Sequence, residues 1–169
     1  MIDWNLTWTM VIAVSTGAIA LAACGGLVFA LKQVSDFKRQ RRLEVARDLH
    51  RTFVDLMDER DFVAEELPEV LKQCKDPWED LKPDQRRKVF RILSLFERAG
   101  AYVDHKIVDQ DFLFDLISVS IPKCWETAKP CIDSLRQMQK DDKLYENFEA
   151  LVKEYRAWRQ QHPPKKATP

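Results

Sequence analysis

The chain has 169 residues, with 27 Lys and Arg against 27 Asp and Glu, and is 32% charged and 46% hydrophobic. That balance excludes collagen-like, low-complexity and wholly disordered chains, and four Cys without a repeating pattern exclude a disulfide-stapled secreted mini-protein. The neutral total hides segregation: residues 1–31 carry only Asp3, residues 32–42 are net +4, and residues 43–162 hold 20 basic and 25 acidic side chains, so the broad basic face that a nucleic-acid partner needs is missing.

From Thr9 to Leu31 run 23 residues without a charge, about 34 Å of helix at roughly 1.5 Å per residue, against a hydrocarbon core of about 30 Å. Trp4 and Trp8 precede this stretch where interfacial aromatics sit, and Lys32, Lys38, Arg39, Arg41 and Arg42 follow it where the positive-inside bias acts. The expectation is a single transmembrane helix in the cell inner membrane, N-terminus out and C-terminal part cytoplasmic, with the lipid bilayer as a partner. A secretory signal would want a basic start, which Met1-Ile2-Asp3-Trp4 does not supply. Leu21-Ala22-Ala23-Cys24-Gly25 has the shape of a lipoprotein processing site, but the apolar run continues through Leu31 where a polar tether is expected. Ala18, Ala22, Gly26 and Ala30 recur every four residues, a small-residue stripe that permits close helix–helix approach and self-association in lipid.

After the basic segment the apolar spacing is helical, with steps of three and four and no period-two run of strand length. Leu43, Ala46, Leu49, Phe53, Leu56 and Met57 form the first stripe. Asp61–Gln73 follows, limited by Pro68 to an irregular or two-part helix. Asp76-Pro77 and Lys82-Pro83-Asp84 each read as helix starts. A long helix is predicted over Gln85–Val103, with Val89, Ile92, Leu93, Phe96, Ala99, Gly100 and Val103 on one face. Asp109 is an N-cap for a helix over Phe112–Ile121 that is apolar nearly all round, the expected buried centre. Pro122 ends or kinks that helix, Trp125 falls in a short stretch closed by Pro130, and Cys131, Ile132, Leu135 and Met138 begin another. In the last helix Leu144, Phe148, Leu151, Tyr155 and Trp158 make a seam for one partner helix inside the same molecule, and a Pro-rich disordered tail closes the chain.

The densest polar cluster is Asp104-His105-Lys106 with Asp109-Gln110-Asp111, and Glu97 two turns upstream. Glu97, Asp104, His105, Asp109 and Asp111 could together supply an acid, a base or ligands for a divalent cation; a polar interhelical loop with an N-cap Asp explains most of the same residues without chemistry. Cys74, Cys124 and Cys131 read as free thiols, since the spacing of seven between Cys124 and Cys131 fits no zinc knuckle. No phosphate loop, dinucleotide fingerprint or nucleophile elbow occurs, so neither a catalytic residue, a cofactor nor a metal is assigned.

Arg87–Trp158 resembles a bacterial membrane-anchored family known as domain of unknown function forty-seven sixty. The resemblance rests on Val89-Phe90-Arg91-Ile92-Leu93-Ser94-Leu95-Phe96-Glu97 leading through Gly100 to a Val-Asp-x-x-Ile-Val-Asp-x-Asp loop at 103–111, then on Trp125 and a closing Tyr145, Phe148, Leu151 helix. His105 stands where similar proteins are expected to carry a Gly-like turn residue. The resemblance implies an N-terminal span and a basic junction, and no activity.

The expected fold is therefore all-α, a single N-terminal transmembrane helix followed by a cytoplasmic helical bundle. Residues 1–8 are an extracytoplasmic N-terminus, 9–31 the transmembrane helix, 32–42 the basic juxtamembrane segment, 43–162 the bundle and 163–169 the tail. The expected function is a membrane-anchored adaptor or accessory subunit that binds a protein or another copy of itself. The alternative is a tethered enzyme or metal-binding domain using the Glu97 to Asp111 cluster.

Overall fold

A computed structural model describes residues 26, 29–34, 36–37, 40–117 and 120–163. The chain divides after Arg42 into two compact units. In the first, the described residues are helical, and Phe29, Leu31, Val34 and Phe37 are exposed. Lys32, Arg41 and Arg42 lie on this exposed helix, whereas Trp4, Trp8, Cys24, Lys38 and Arg39 lie outside the described residues.

The all-α class holds: every regular element among the described residues is a helix. The single-pass membrane arrangement is corrected, because among the described residues no helix is long and apolar enough to cross a membrane. The two helices with the length for it, Pro83–Asp104 and Ser120–Gln139, are interrupted by charge, including Arg86, Arg91 and Glu97 in the first and Lys123, Glu126 and Asp133 in the second, and each such residue is costly at the centre of a bilayer. Residues 9–25, 27 and 28 of the expected span, and residues 164–169 of the tail, lie outside the described residues.

The second unit is a bundle of helices. It begins with α1 (43–55) and continues through α2 (Met57–Asp61), a π-helical turn (Phe62–Glu66) and α3 (Leu67–Leu71). Ala46, Leu49, Phe53 and Leu56 bury the inner face of this run, while Leu43 and Met57, expected in the same stripe, are exposed. The π-turn follows from Pro68, which has no N–H to close on the carbonyl of Ala64. The next amide back, that of Leu67, reaches over to the Phe62 carbonyl instead. The irregular helix predicted from Pro68 thus takes the form of one widened turn.

Asp76-Pro77 starts no helix. The Asp76 carboxylate accepts from the amides of Trp78 and Glu79, and Asp80 accepts from those of Lys75 and Asp76, so the segment closes into a compact turn before Pro83 forces extended backbone at Lys82. Ser134 Oγ donates to Asp76 at 2.8 Å and the Cys131 thiol to the Pro77 carbonyl at 3.2 Å, fixing the turn to a later helix.

α4 (Pro83–Asp104) is the centre of the bundle, with Val89, Ile92, Leu93, Leu95, Phe96, Ala99, Gly100 and Val103 buried. In α5 (Gln110–Ile117), which holds most of the described part of the helix expected at the buried centre, Leu113, Phe114 and Ile117 are buried but Phe112 is exposed, so this helix is not covered all round and α4 takes the central place. α6 (Ser120–Gln139) continues past Pro130 as one helix, where two helices were expected. Ile121, Cys124, Trp125, Ala128, Cys131, Ile132 and Leu135 keep one buried stripe on both sides of that proline, and their burial at roughly 1.5–3 kcal/mol for each large side chain exceeds the proline penalty of about 3 kcal/mol. Pro130 itself is exposed, so the carbonyl it leaves unpaired can meet water. Pro122 lies within the described part of α6 and does not end it.

α7 (Glu146–Gln161) buries Phe148, Leu151, Val152 and Tyr155 and packs chiefly on α4, as the predicted seam requires. Phe148 stacks on Phe96 of α4 at 4.7 Å and meets Trp125 of α6 edge to face at 5.1 Å. Both long helices end in the same way: Lys106 and Lys140 take left-handed backbone, and the amides of Ile107 and Asp141 reach back to the carbonyls of Tyr102 and Arg136. These are Schellman closures with lysine in the place glycine usually fills. The left-handed residue of the 104–109 loop is therefore Lys106, not His105.

The backbones of α4 and α7 approach closely at Gly100, where an added Cβ would collide with the backbone oxygen of Asn147. Gly100→Ala should lower the urea midpoint, with a loss of about 1–3 kcal/mol from overpacking, even though alanine is the better helix former. Acid should also unfold the bundle in a defined window. The Asp76 carboxyl is held below its ordinary 3.8, chiefly by the Glu79 amide with Ser134 and the Trp78 amide adding. Glu149 is held below its ordinary 4.5 by hydrogen bonds from Lys153 and then Arg136. Both groups bind protons more readily when unfolded, so their contribution is complete above those ordinary values and fades as pH falls through the folded ones. The urea midpoint should be flat near neutrality and fall once pH passes below 4.5, with a shallower fall in Glu149→Gln.

Candidate functional site

Of the five polar residues singled out by sequence, Glu97 and Asp109 cap the starts of helices, Asp111 holds an indole, and Asp104 and His105 face solvent. α7 lacks an N-cap side chain of its own, because Tyr145 occupies that position with left-handed backbone and its side chain caps nothing. Glu97 supplies the cap from across the bundle. Its carboxylate accepts from the Asn147 amide at 3.4 Å, the Asn147 side-chain amide at 2.7 Å and the Phe148 amide at 2.9 Å. These are the second and third amides of α7, the ones an N-cap residue satisfies, and the negative charge also sits on the positive end of the helix dipole. Burial pushes the Tyr145 hydroxyl up, and the charge of Glu97 adds to the effect.

Asp109 accepts from the Phe112 amide at 3.1 Å and caps α5, the role read for it in the sequence. Asp111 accepts from the Trp158 indole N–H at 2.7 Å. Trp158 lies in an aromatic group with Phe114, Tyr155 and His162, which ties α5 to the last turns of α7. Asp104 and His105 face solvent 3.6 Å apart. Glu97 and Asp111 therefore engage opposite ends of α7, some ten residues or about 15 Å apart along its axis. The structure brings Asp104 and His105 together and does not gather the five into one centre. Among the described residues no group of three or more His, Cys, Asp or Glu could hold a metal ion. The thiols of Cys124 and Cys131 are each pushed up to about 12, mainly by burial, far from the range of a reactive thiolate.

What the sequence reading passed over is the outer face of α4. Arg87, Arg91, Ser94 and Arg98 follow one another at steps of four, three and four, one stripe along the helix about 16 Å long. Phe90 stands beside them with 54% of its surface exposed. Arg91 pairs with Glu59 of α2, whereas Arg87 and Arg98 pair with no carboxylate among the described residues. Because the opposite face of α4 is the core, this stripe is rigidly backed. A signal was available: Phe90 breaks the helical spacing of the buried set and lies between arginines.

The sequence profile of the family described as Domain of unknown function (DUF4760) matches residues 20–158. The chain belongs to that family. No curated protein and no solved structure matches it. Within this DUF4760 member, the matched region covers the whole of α1 to α6 and α7 up to Trp158, so the cap from Glu97 and the approach at Gly100 both fall inside the family's extent.

If Glu97 is a structural cap, Glu97→Ala should cost about 1–3 kcal/mol, because the orphaned amides of α7 lose their partner in a half-buried place. Amide hydrogen exchange at Asn147 and Phe148 should quicken by more than the global loss. Asp104→Asn and His105→Ala should each stay within about 0.5 kcal/mol of the parent. Equal and large losses at all five positions would contradict this assignment.

Proposed function

We propose that this chain is an interaction module, an adaptor or accessory subunit, whose contact surface is the outer face of α4. The observation that carries the reading is Phe90, more than half exposed among Arg87, Arg91 and Arg98 on the most deeply packed helix of the bundle. Aromatic and arginine side chains contribute most at protein interfaces, and a surface held still by the core behind it loses little entropy on binding. Of the polar residues that could have argued for chemistry, Glu97 and Asp109 cap helices, Asp111 holds the Trp158 indole, and Asp104 and His105 face solvent, and the enzyme or metal-binding reading built on them gains no support from this dispersed geometry.

A photo-reactive phenylalanine analogue at position 90 of the full chain, activated in cells, should give a discrete crosslinked product. The same analogue at Met138, which is also half exposed but on α6, should not. The product should vanish in Arg87→Glu/Arg98→Glu. A product of twice the chain's 19.8 kDa would identify a second copy as the partner. Identical labelling from positions 90 and 138 would refute the reading.

A further inference from the structure

A cleft of about 330 Å³ opens where the π-helical turn faces Leu116 and Ile117 of α5 and Ser120 and Lys123 of α6, and none of its lining residues belongs to α4. Its volume is at the lower end of the range for small-molecule sites. The turn contributes Ala64 and Glu65 to the wall, and such widened turns recur at binding sites. Phe53, Leu116 and Ile117 supply apolar surface. Arg60 crosses this surface with its guanidinium 4.8 Å from the centre of the Phe53 ring.

The state of Arg60 is the informative part. Its side chain is only 20% exposed, yet among the described residues its one carboxylate contact is to its chain neighbour Asp61, at 3.4 Å. A guanidinium has five N–H donors in a fixed fork. No buried side-chain nitrogen or oxygen among the described residues is without a partner, so the uncommitted donors of Arg60, which lines the cleft, are open to solvent. Lys123 adds a second cation, held loosely by Glu65 at 3.4 Å. Asp61 and Glu65 are mostly exposed, and long rim contacts of this kind contribute little and exchange readily. Counting all four groups the cleft has no net charge, so it offers no surplus of positive charge for a polyphosphate, and an anion must gain its place by displacing a rim carboxylate from a cation.

We propose that this cleft binds a small monocarboxylate with a flat or branched apolar body. The carboxylate takes the fork of Arg60 in two parallel hydrogen bonds, shorter and stronger than the contact to Asp61 that it replaces. Lys123 lines the same cleft, and the apolar body covers Phe53, Leu116 and Ile117. This site is separate from the α4 surface, and either can fail without the other.

The test uses phenylacetate, with phenylacetamide as the uncharged control, in nuclear magnetic resonance titrations of the isotope-labelled full chain. Phenylacetate should give saturable shifts at Ile117, Leu116 and the Arg60 side chain with a dissociation constant of order 1 mM, and phenylacetamide should give none. Arg60→Gln should weaken binding at least about tenfold and Lys123→Gln a few-fold, whereas Asp61→Asn, which removes the internal competitor, should tighten it a few-fold. If Arg60→Gln does not fold, the opposite responses of Lys123→Gln and Asp61→Asn decide. Equal shifts from the amide, no saturation in the parent and Asp61→Asn, or unchanged affinity in a folded Arg60→Gln overturns the proposal.

Discussion

The bundle depends on one contact between helices distant in sequence, where the start of α7 is pressed onto the last turns of α4. Gly100 removes the side chain that would otherwise hold the backbones apart, and the carbonyl of Asn147 occupies the space. One turn earlier on the same helix, Glu97 receives the exposed amides of Asn147 and Phe148. Phe148 is thereby fixed at its backbone and can place its ring flat on Phe96 and edgewise against Trp125. Three helices meet at that ring, and neither the close approach nor the cap works without the other.

The remaining polar staples follow the same logic on a smaller scale. Arg136 donates to the Leu144 carbonyl and to Glu149, so one guanidinium holds both the α6–α7 connection and the first turns of α7. Asp76 gathers two amides and a hydroxyl at the base of α6. A bundle with a single glycine after residue 26 cannot shape its turns by backbone freedom alone, and it uses side-chain acceptors and two left-handed lysines instead. Carboxylates in such places look like chemistry in a sequence because the same property, a charged acceptor in a fixed position, serves both purposes.

Helical class, the α4 range to within two or three residues, the cap at Asp109 and the α7 seam were legible because each rests on local spacing or on a neighbour a few residues away. Errors arose where a distant contact decides. Pro130 read as a terminator because a local rule stood against burial along both halves of α6, and burial won. α5 read as the centre because its composition is apolar, but position in the bundle is set by what packs over a helix, and Phe112 is left exposed. Glu97 was noticed for the wrong reason: the missing cap at Lys143-Leu144-Tyr145 was visible in the sequence, whereas the identity of its substitute, about fifty residues upstream, was not. A long uncharged stretch invited a membrane reading, which the helices among the described residues do not meet.

The distance along the chain between Glu97 and Phe148 also has a consequence for biosynthesis. Chain elongation at about 5–20 residues per second puts roughly 3–10 s between the emergence of the two partners. During that interval the apolar side of α4 has its N-terminal neighbours but not its cover, a period in which a nascent chain is open to chaperones or to wrong partners. Late closure of this sort makes the order of translation, and not only the finished contacts, part of how the sequence reaches its fold.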